Sequence, residues 1–169
     1  IAVPVDPRNK GERLKFLLNN CKARAVIVSG ECLEDLEAVI ADVPTLRFIT
    51  VAYQPGQNIA VSTKHHALNE VMGKDTWKPV EQQIMDVRHP MQIIYTSGTT
   101  GKPKPILLTQ RNLESACIVE NRHHNQTHKD NFLCIPPLYH TGAKMHWFGN
   151  FIVGAKGVLL KGVKPEWIL

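Results

Sequence analysis

Short apolar runs alternate with helical stripes along this 169-residue chain, and that alternation narrows its fold more than any other feature. Ala25-Val26-Ile27-Val28 is a continuous apolar run, the pattern of a strand buried on both faces. Ahead of it, Leu14, Leu17, Leu18 and Cys21 fall at i, i+3, i+4 and i+7, one stripe of an amphipathic helix. Asn9-Lys10-Gly11-Glu12 has the N-x-x-E form of a helix start, with Asn9 as the predicted cap. Leu33, Leu36, Ile40 and Val43 make a second stripe, stopped before Pro44. Further strands are predicted at 46–51, 92–95, 106–108, 132–135 and 157–160, with helices at about 109–120 and 141–153. Lys164-Pro165-Glu166-Trp167 opens another helix, with Pro at a favoured first-turn position. Residues 53–90 are richer in breakers and read as an irregular excursion with one short helix near 66–71. Strands and helices alternating at this spacing predict an α/β fold, a mostly parallel sheet covered by helices. The length is that of one domain, so residues 1–169 are expected to share one core.

Composition removes several classes of function. Hydrophobic residues at 43% and charged residues at 21% argue against intrinsic disorder. No apolar run approaches the ~20 residues that span a bilayer. The start, Ile1-Ala2-Val3-Pro4-Val5, lacks the basic and apolar regions of a signal peptide, and the absence of Met there suggests a piece of a longer chain. The net charge of +5 invites a polyanion partner, yet the basic residues are scattered and no aromatic-basic interleaving marks a nucleic-acid surface. Cys21, Cys32, Cys117 and Cys134 have no CxxC spacing and sit in apolar or helical patterns, as reduced thiols of a cytoplasmic protein do. No metal site is predicted. The set weighed for one was His123, His124 and His128 with Cys117 and Cys134, which reads more simply as a solvated loop beside two core thiols.

The chemistry is concentrated in Thr96-Ser97-Gly98-Thr99-Thr100-Gly101, followed by Lys102-Pro103-Lys104. Four hydroxyls and two glycines in six residues make a collar of donors. The glycines let backbone N–H groups approach an anion, the hydroxyls add donors and the lysines add cations. The alternative from composition alone is a Ser/Thr/Gly turn joining two edge strands. Walker A does not fit. Only Thr99 and Thr100 separate Gly98 from Gly101, and Pro103 follows Lys102.

Tyr95 through Lys104 resembles the signature of the adenylate-forming superfamily, which holds acyl- and aryl-CoA synthetases, peptide-synthetase adenylation domains and firefly-type luciferases. Val3-Pro4-Val5-Asp6-Pro7-Arg8 and Ile135-Pro136-Pro137-Leu138-Tyr139-His140-Thr141-Gly142 resemble flanking segments of the same family. The resemblance implies part of the large N-terminal, AMP-binding domain of a two-step ligase. A carboxylate and ATP give acyl-adenylate and pyrophosphate, and a thiol, usually CoA, then displaces AMP. It implies that Thr96, Ser97, Gly98, Thr99, Thr100, Gly101 and Lys104 hold the triphosphate with Mg2+ nearby, and that Tyr139 and His140 lie near the carboxylate. It further implies a small-molecule acid substrate, a fatty-acid or related metabolism, and no nucleic-acid partner. The catalytic lysine of the family belongs to a C-terminal domain that these residues do not include, so no catalytic residue is assigned here and the piece is expected to be inactive alone. Two positions depart from the family pattern: Pro105 stands where Gly is usual, and Gln110 where His is usual. A non-catalytic scaffold with the same fold is the competing reading.

Overall fold

The computed structural model describes residues 1–53, 65–72, 86–97, 102–160, 162 and 164–168. They belong to two units, one of Asp6–Gln83 and one that joins Ile1–Val5 to Ile84–Leu169.

The first unit begins with a turn. Asn9 donates both its backbone N–H and its side-chain amide to the Asp6 carbonyl, each at 2.9 Å. Its side chain is therefore committed to that turn and does not cap a helix, contrary to the N-x-x-E expectation. Helix α1 (Gly11–Asn20) starts after it, with Lys10 at the cap position and no side-chain cap bond. Gly11 enters at φ +50°, a conformation that a residue without Cβ adopts freely. Leu14, Leu17 and Leu18 are buried on one face, as their spacing predicts.

Strand β1 (Ala25–Ser29) follows and pairs in parallel with β2 (Phe48–Ala52), from Ala25↔Phe48 to Ser29↔Ala52. A two-residue β3 (His66–Ala67) joins the other side of β2, also in parallel, giving the order β1-β2-β3. The expectation of burial on both faces fails for β1. Its residues alternate between exposed and half-buried, and Ile27 is 72% exposed. An apolar run does not distinguish an edge strand from a central one. Burial falls on the middle strand, where Ile49 and Val51 are covered. The second stripe also serves its packing role in two pieces: α2 (Leu33–Glu37), then a 3-10 turn at Ile40–Asp42. Val43 lies outside the α region (φ −117°, ψ 76°), as a following Pro44 requires of its predecessor. Leu33, Leu36, Val39 and Val43 are buried nonetheless. Helix α3 (Leu68–Met72) matches the short helix predicted near 66–71; most of the irregular excursion lies outside the described residues.

The second unit is built around β4 (Pro90–Thr96) and β5 (Lys104–Thr109), an antiparallel pair. Ala2 bridges to the free side of β4 in parallel, donating to the Met91 carbonyl at 2.9 Å and accepting from Ile93 N–H at 2.9 Å. Helix α4 (Gln110–His123) starts at Thr109 through a reciprocal cap. The Thr109 hydroxyl accepts from Asn112 N–H, and the Asn112 side-chain oxygen accepts from Thr109 N–H at 2.9 Å. Strands β6 (Asn131–Cys134) and β7 (Lys156–Leu159) pair in parallel, with α5 (Thr141–Val153) between them in the chain. Gly154 ends α5 at φ +73°. Pro165 opens a 3-10 turn, Pro165–Trp167, as the sequence suggests. Among the described residues every strand pairing but β4–β5 is parallel, which agrees with the predicted fold class.

Candidate functional site

The hydroxyl-glycine segment joins the two strands of the β4–β5 hairpin. The ladder runs from Pro90↔Thr109 to Thr96↔Lys104, with a register shift between Pro90 and Gln92. Its last pair sets Thr96 opposite Lys104, so a hydroxyl and an ammonium group flank the mouth of the 97–103 connection. Thr96, Ser97, Lys102 and Lys104 are all exposed there. Gly98, Thr99, Thr100 and Gly101 lie outside the described residues. Pro105 takes its place in β5 opposite Tyr95. Among the described residues β5 pairs only with β4, and an edge strand is where a residue without an N–H fits a ladder.

The aromatic-His pair sits at the other candidate position. Tyr139 is half-buried and His140 exposed, their rings 4.6 Å apart between centroids. His140 is the cap residue of α5, with extended backbone and no side-chain cap bond. Its carbonyl accepts the first helical hydrogen bond, from Lys144 N–H at 3.3 Å. The free N–H groups of the helix's opening turn therefore lie beside the His140 backbone, an environment that favours negative charge.

One contact connects these two parts, and sequence reading missed it. Lys144, one turn into α5, donates from Nζ to Gln92 Oε1 on β4 at 2.9 Å. Both side chains belong to buried residues, and burial lowers the Lys144 pKa from its ordinary 10.5. The strand that feeds the loop is thus tied to the helix that His140 caps. The available signal was a lone Gln inside an apolar run and a Lys beside the inward-facing Ala143.

The cysteines behave as core residues. Cys117 and Cys134 are buried, and burial raises both thiols above their ordinary value, which disfavours the thiolate that binds metals. Cys21 and Cys32 are half-buried, and none of the four is joined in a disulfide. Of the histidines weighed with them, His124 instead lies beside Glu120 and His146. No helix among the described residues is long and apolar enough to cross a membrane.

Comparison with known proteins gives a consistent result. Residues 1–168 match the family described as AMP-binding enzyme. The chain is 33% identical over 172 aligned positions to a mitochondrial malonate–CoA ligase of Mus musculus, covering 99% of this chain and 24% of that protein. It is 24% identical over 168 residues to a 2-succinylbenzoate–CoA ligase of Bacillus cereus, covering 99% of this chain and 30% of the relative. Among solved structures it resembles an anthranilate CoA ligase in complex with anthranoyl-AMP, with a TM-score of 0.84 at 23% identity over 96% of this chain and 31% of that one. ATP-bound MatB from Rhodopseudomonas palustris aligns with a TM-score of 0.77 at 19% identity, over 98% of this chain and 31% of that one. The chain thus spans a third or less of each of these proteins, and the match runs through the hairpin, the 97–103 connection and the Tyr139-His140 segment alike. This chain belongs to the AMP-binding enzyme family.

Proposed function

We propose that the chain supplies the triphosphate-binding hairpin of an AMP-forming acyl-CoA synthetase. The observation that carries the reading is the Thr96↔Lys104 pair, which closes the ladder around a connection of hydroxyls and glycines. In the first half-reaction the substrate carboxylate attacks the α-phosphorus of ATP, and pyrophosphate leaves with the electrons of the broken P–O bond. Negative charge grows on the departing oxygens. Donors fixed before the reaction stabilise that charge without reorganising, at roughly 2–4 kcal/mol for each well-placed one. The proposed donors are the hydroxyls of Thr96, Ser97, Thr99 and Thr100, the amides of Gly98 and Gly101, and the Lys104 ammonium.

Thr96 and Ser97 offer exposed hard oxygens at the mouth, a donor type that suits Mg2+ held mainly by substrate phosphates. When bound there, Mg2+ supplies neutralisation of phosphate charge. Tyr139 and His140 are proposed to face the acid, where the start of α5 favours a carboxylate. In the second half-reaction a thiol, taken as that of CoA, displaces AMP from the adenylate. The relatives named above act on malonate, 2-succinylbenzoate and anthranilate, so the substrate is proposed only as a small carboxylic acid.

The test is carboxylate-dependent ATP–pyrophosphate exchange by the full-length protein across malonate, acetate, aromatic and fatty acids. The reading expects exchange above background with at least one acid. A folded protein that exchanges with none of them supports the scaffold instead.

A further inference from the structure

We propose that Glu120, His124 and His146 form a binding site for one divalent transition-metal ion of the zinc class, bridging α4 and α5. Glu120 and His124 stand four residues apart, on one side of the end of α4, with His124 Nε2 3.1 Å from Glu120 Oε2. His146 comes from α5, and ligand atoms of the three residues all lie within 4.8 Å of one another. Tetrahedral coordination with bonds of ~2.0–2.1 Å places donors about 3.3–3.5 Å apart. The remaining closure, at most about 1.5 Å, is within reach of side-chain rotation, because the His124 side chain is 55% exposed.

Two features hold this geometry ready. The His146 ring stacks on Phe132, with centroids 5.0 Å apart and planes 23° from parallel, so its orientation is set by packing. The two helices are also locked in register next to the cluster. Asn121, the neighbour of Glu120, donates from Nδ2 to the Gly149 carbonyl at 2.9 Å. A Cβ at Gly149 would stand 2.6 Å from Asn121 Oδ1, so the close approach depends on glycine. Gln126 Nε2 donates to Asn150 Oδ1 one residue further along α5. The contacts that fix Asn121 against Gly149 thereby fix Glu120 and His124 against His146.

Two imidazoles and one carboxylate select a borderline ion such as Zn2+, Co2+ or Ni2+ over Mg2+ or Ca2+, which prefer all-oxygen sets. Three protein ligands leave a fourth position open to water. The site is separate from the 97–103 connection in sequence and in chemistry, so it stands whether or not the hairpin binds ATP.

Co2+ serves as the spectroscopic probe and Zn2+ as its competitor, titrated into the metal-free full-length protein. The expected result is one saturating equivalent with the intense visible absorption of four-coordinate Co2+, displaced by Zn2+. His124→Ala, His146→Ala and Glu120→Gln are each expected to weaken binding at least about tenfold. His124→Ala alters an exposed side chain and leaves the His146–Phe132 stack intact, so it decides the matter even if His146→Ala disturbs the helix pair. Affinity weaker than about 1 mM, or unchanged affinity in the His124→Ala protein, overturns the site.

Discussion

The interiors of the two units are made of different material. Among the described residues between Asp6 and Gln83, the buried ones are aliphatic: Leu14, Leu17, Leu18, Leu33, Leu36, Val39, Val43, Ile49 and Val51, with Ala67 beside them. His65 is the exception, buried with Nε2 3.7 Å from a Glu37 oxygen. In the unit containing Ile84–Leu169, Leu113, Cys117, Cys134 and Ala143 share the interior with Gln92, Asn121, Lys144 and Asn150. Aliphatic burial is non-directional and tolerates small shifts. Buried polar groups are directional, since each must find a partner or carry the cost of desolvation. Asn121 Oδ1 and Asn150 Nδ2 show that cost, being buried without a hydrogen-bond partner. What the polar interior gains is register. Lys144–Gln92 ties α5 to β4, and Asn121–Gly149 ties α4 to α5. Among the described residues, the unit that carries the candidate site is the one whose elements are tied by buried side-chain hydrogen bonds.

The contrast can be broken most forcefully in the aliphatic unit. Leu36 is 2% exposed, and Leu36→Ala is expected to destabilise the protein by about 2–5 kcal/mol through lost burial and a cavity. Denaturant unfolding measures it. A loss below about 1 kcal/mol means that this interior is not packed as described.

The polar unit is expected to respond differently. Lys144→Met strands the buried Gln92 oxygen and should cost about 1–3 kcal/mol, whereas the double variant with Gln92→Leu should recover most of that loss. An additive double variant contradicts the coupling. Lys144 also predicts a pH dependence. Its folded pKa is lowered by burial while the unfolded chain keeps about 10.5, so the desolvation penalty is in full force while both states are charged. As pH rises through the lowered value toward 10.5, the folded state sheds its proton first and the protein gains stability. Lys144→Met should abolish that gain.

The smallest effect concerns a feature the two units share. Arg8 and Arg88 each fold back on the acid two residues earlier, with backbone N–H to carboxylate distances of 2.9 Å to Asp6 and 2.8 Å to Asp86. The Arg88 guanidinium and backbone N–H hold the Asp86 carboxyl down from 3.8 to about 2. The stabilisation from this pair is therefore complete above pH 3.8 and lost as pH falls toward about 2. The pair is exposed, so little stability is at stake. NMR titration should find Asp86 near 2, and raised toward 3.8 in Arg88→Ala, which removes the guanidinium and keeps the backbone N–H. An identical titration in both proteins contradicts the clamp.

Local chemistry was legible where it acts over a few residues. The bounds of α5, Thr141–Val153, follow from its pattern, and Thr109 caps α4 where the helix was expected to start. The hairpin strands on either side of the 97–103 connection were visible as apolar runs. Asn9 misled because the Asp6 carbonyl competes for the same side chain. Exposure of Ile27 was invisible because an apolar run does not encode strand order. Lys144–Gln92 joins residues 52 positions apart, and His146 reaches His124 across a helix pair. Such contacts depend on where whole elements pack, which no local period records.

The central claim is that the 97–103 connection and its flanking Thr96 and Lys104 hold the triphosphate while pyrophosphate leaves. The direct measurement is carboxylate-dependent ATP–pyrophosphate exchange by full-length Lys104→Ala and Thr99→Ala proteins with native folding profiles. Loss of charge-stabilising donors predicts exchange slowed about 10- to 1000-fold in each. Exchange at the parent rate in both variants contradicts the account.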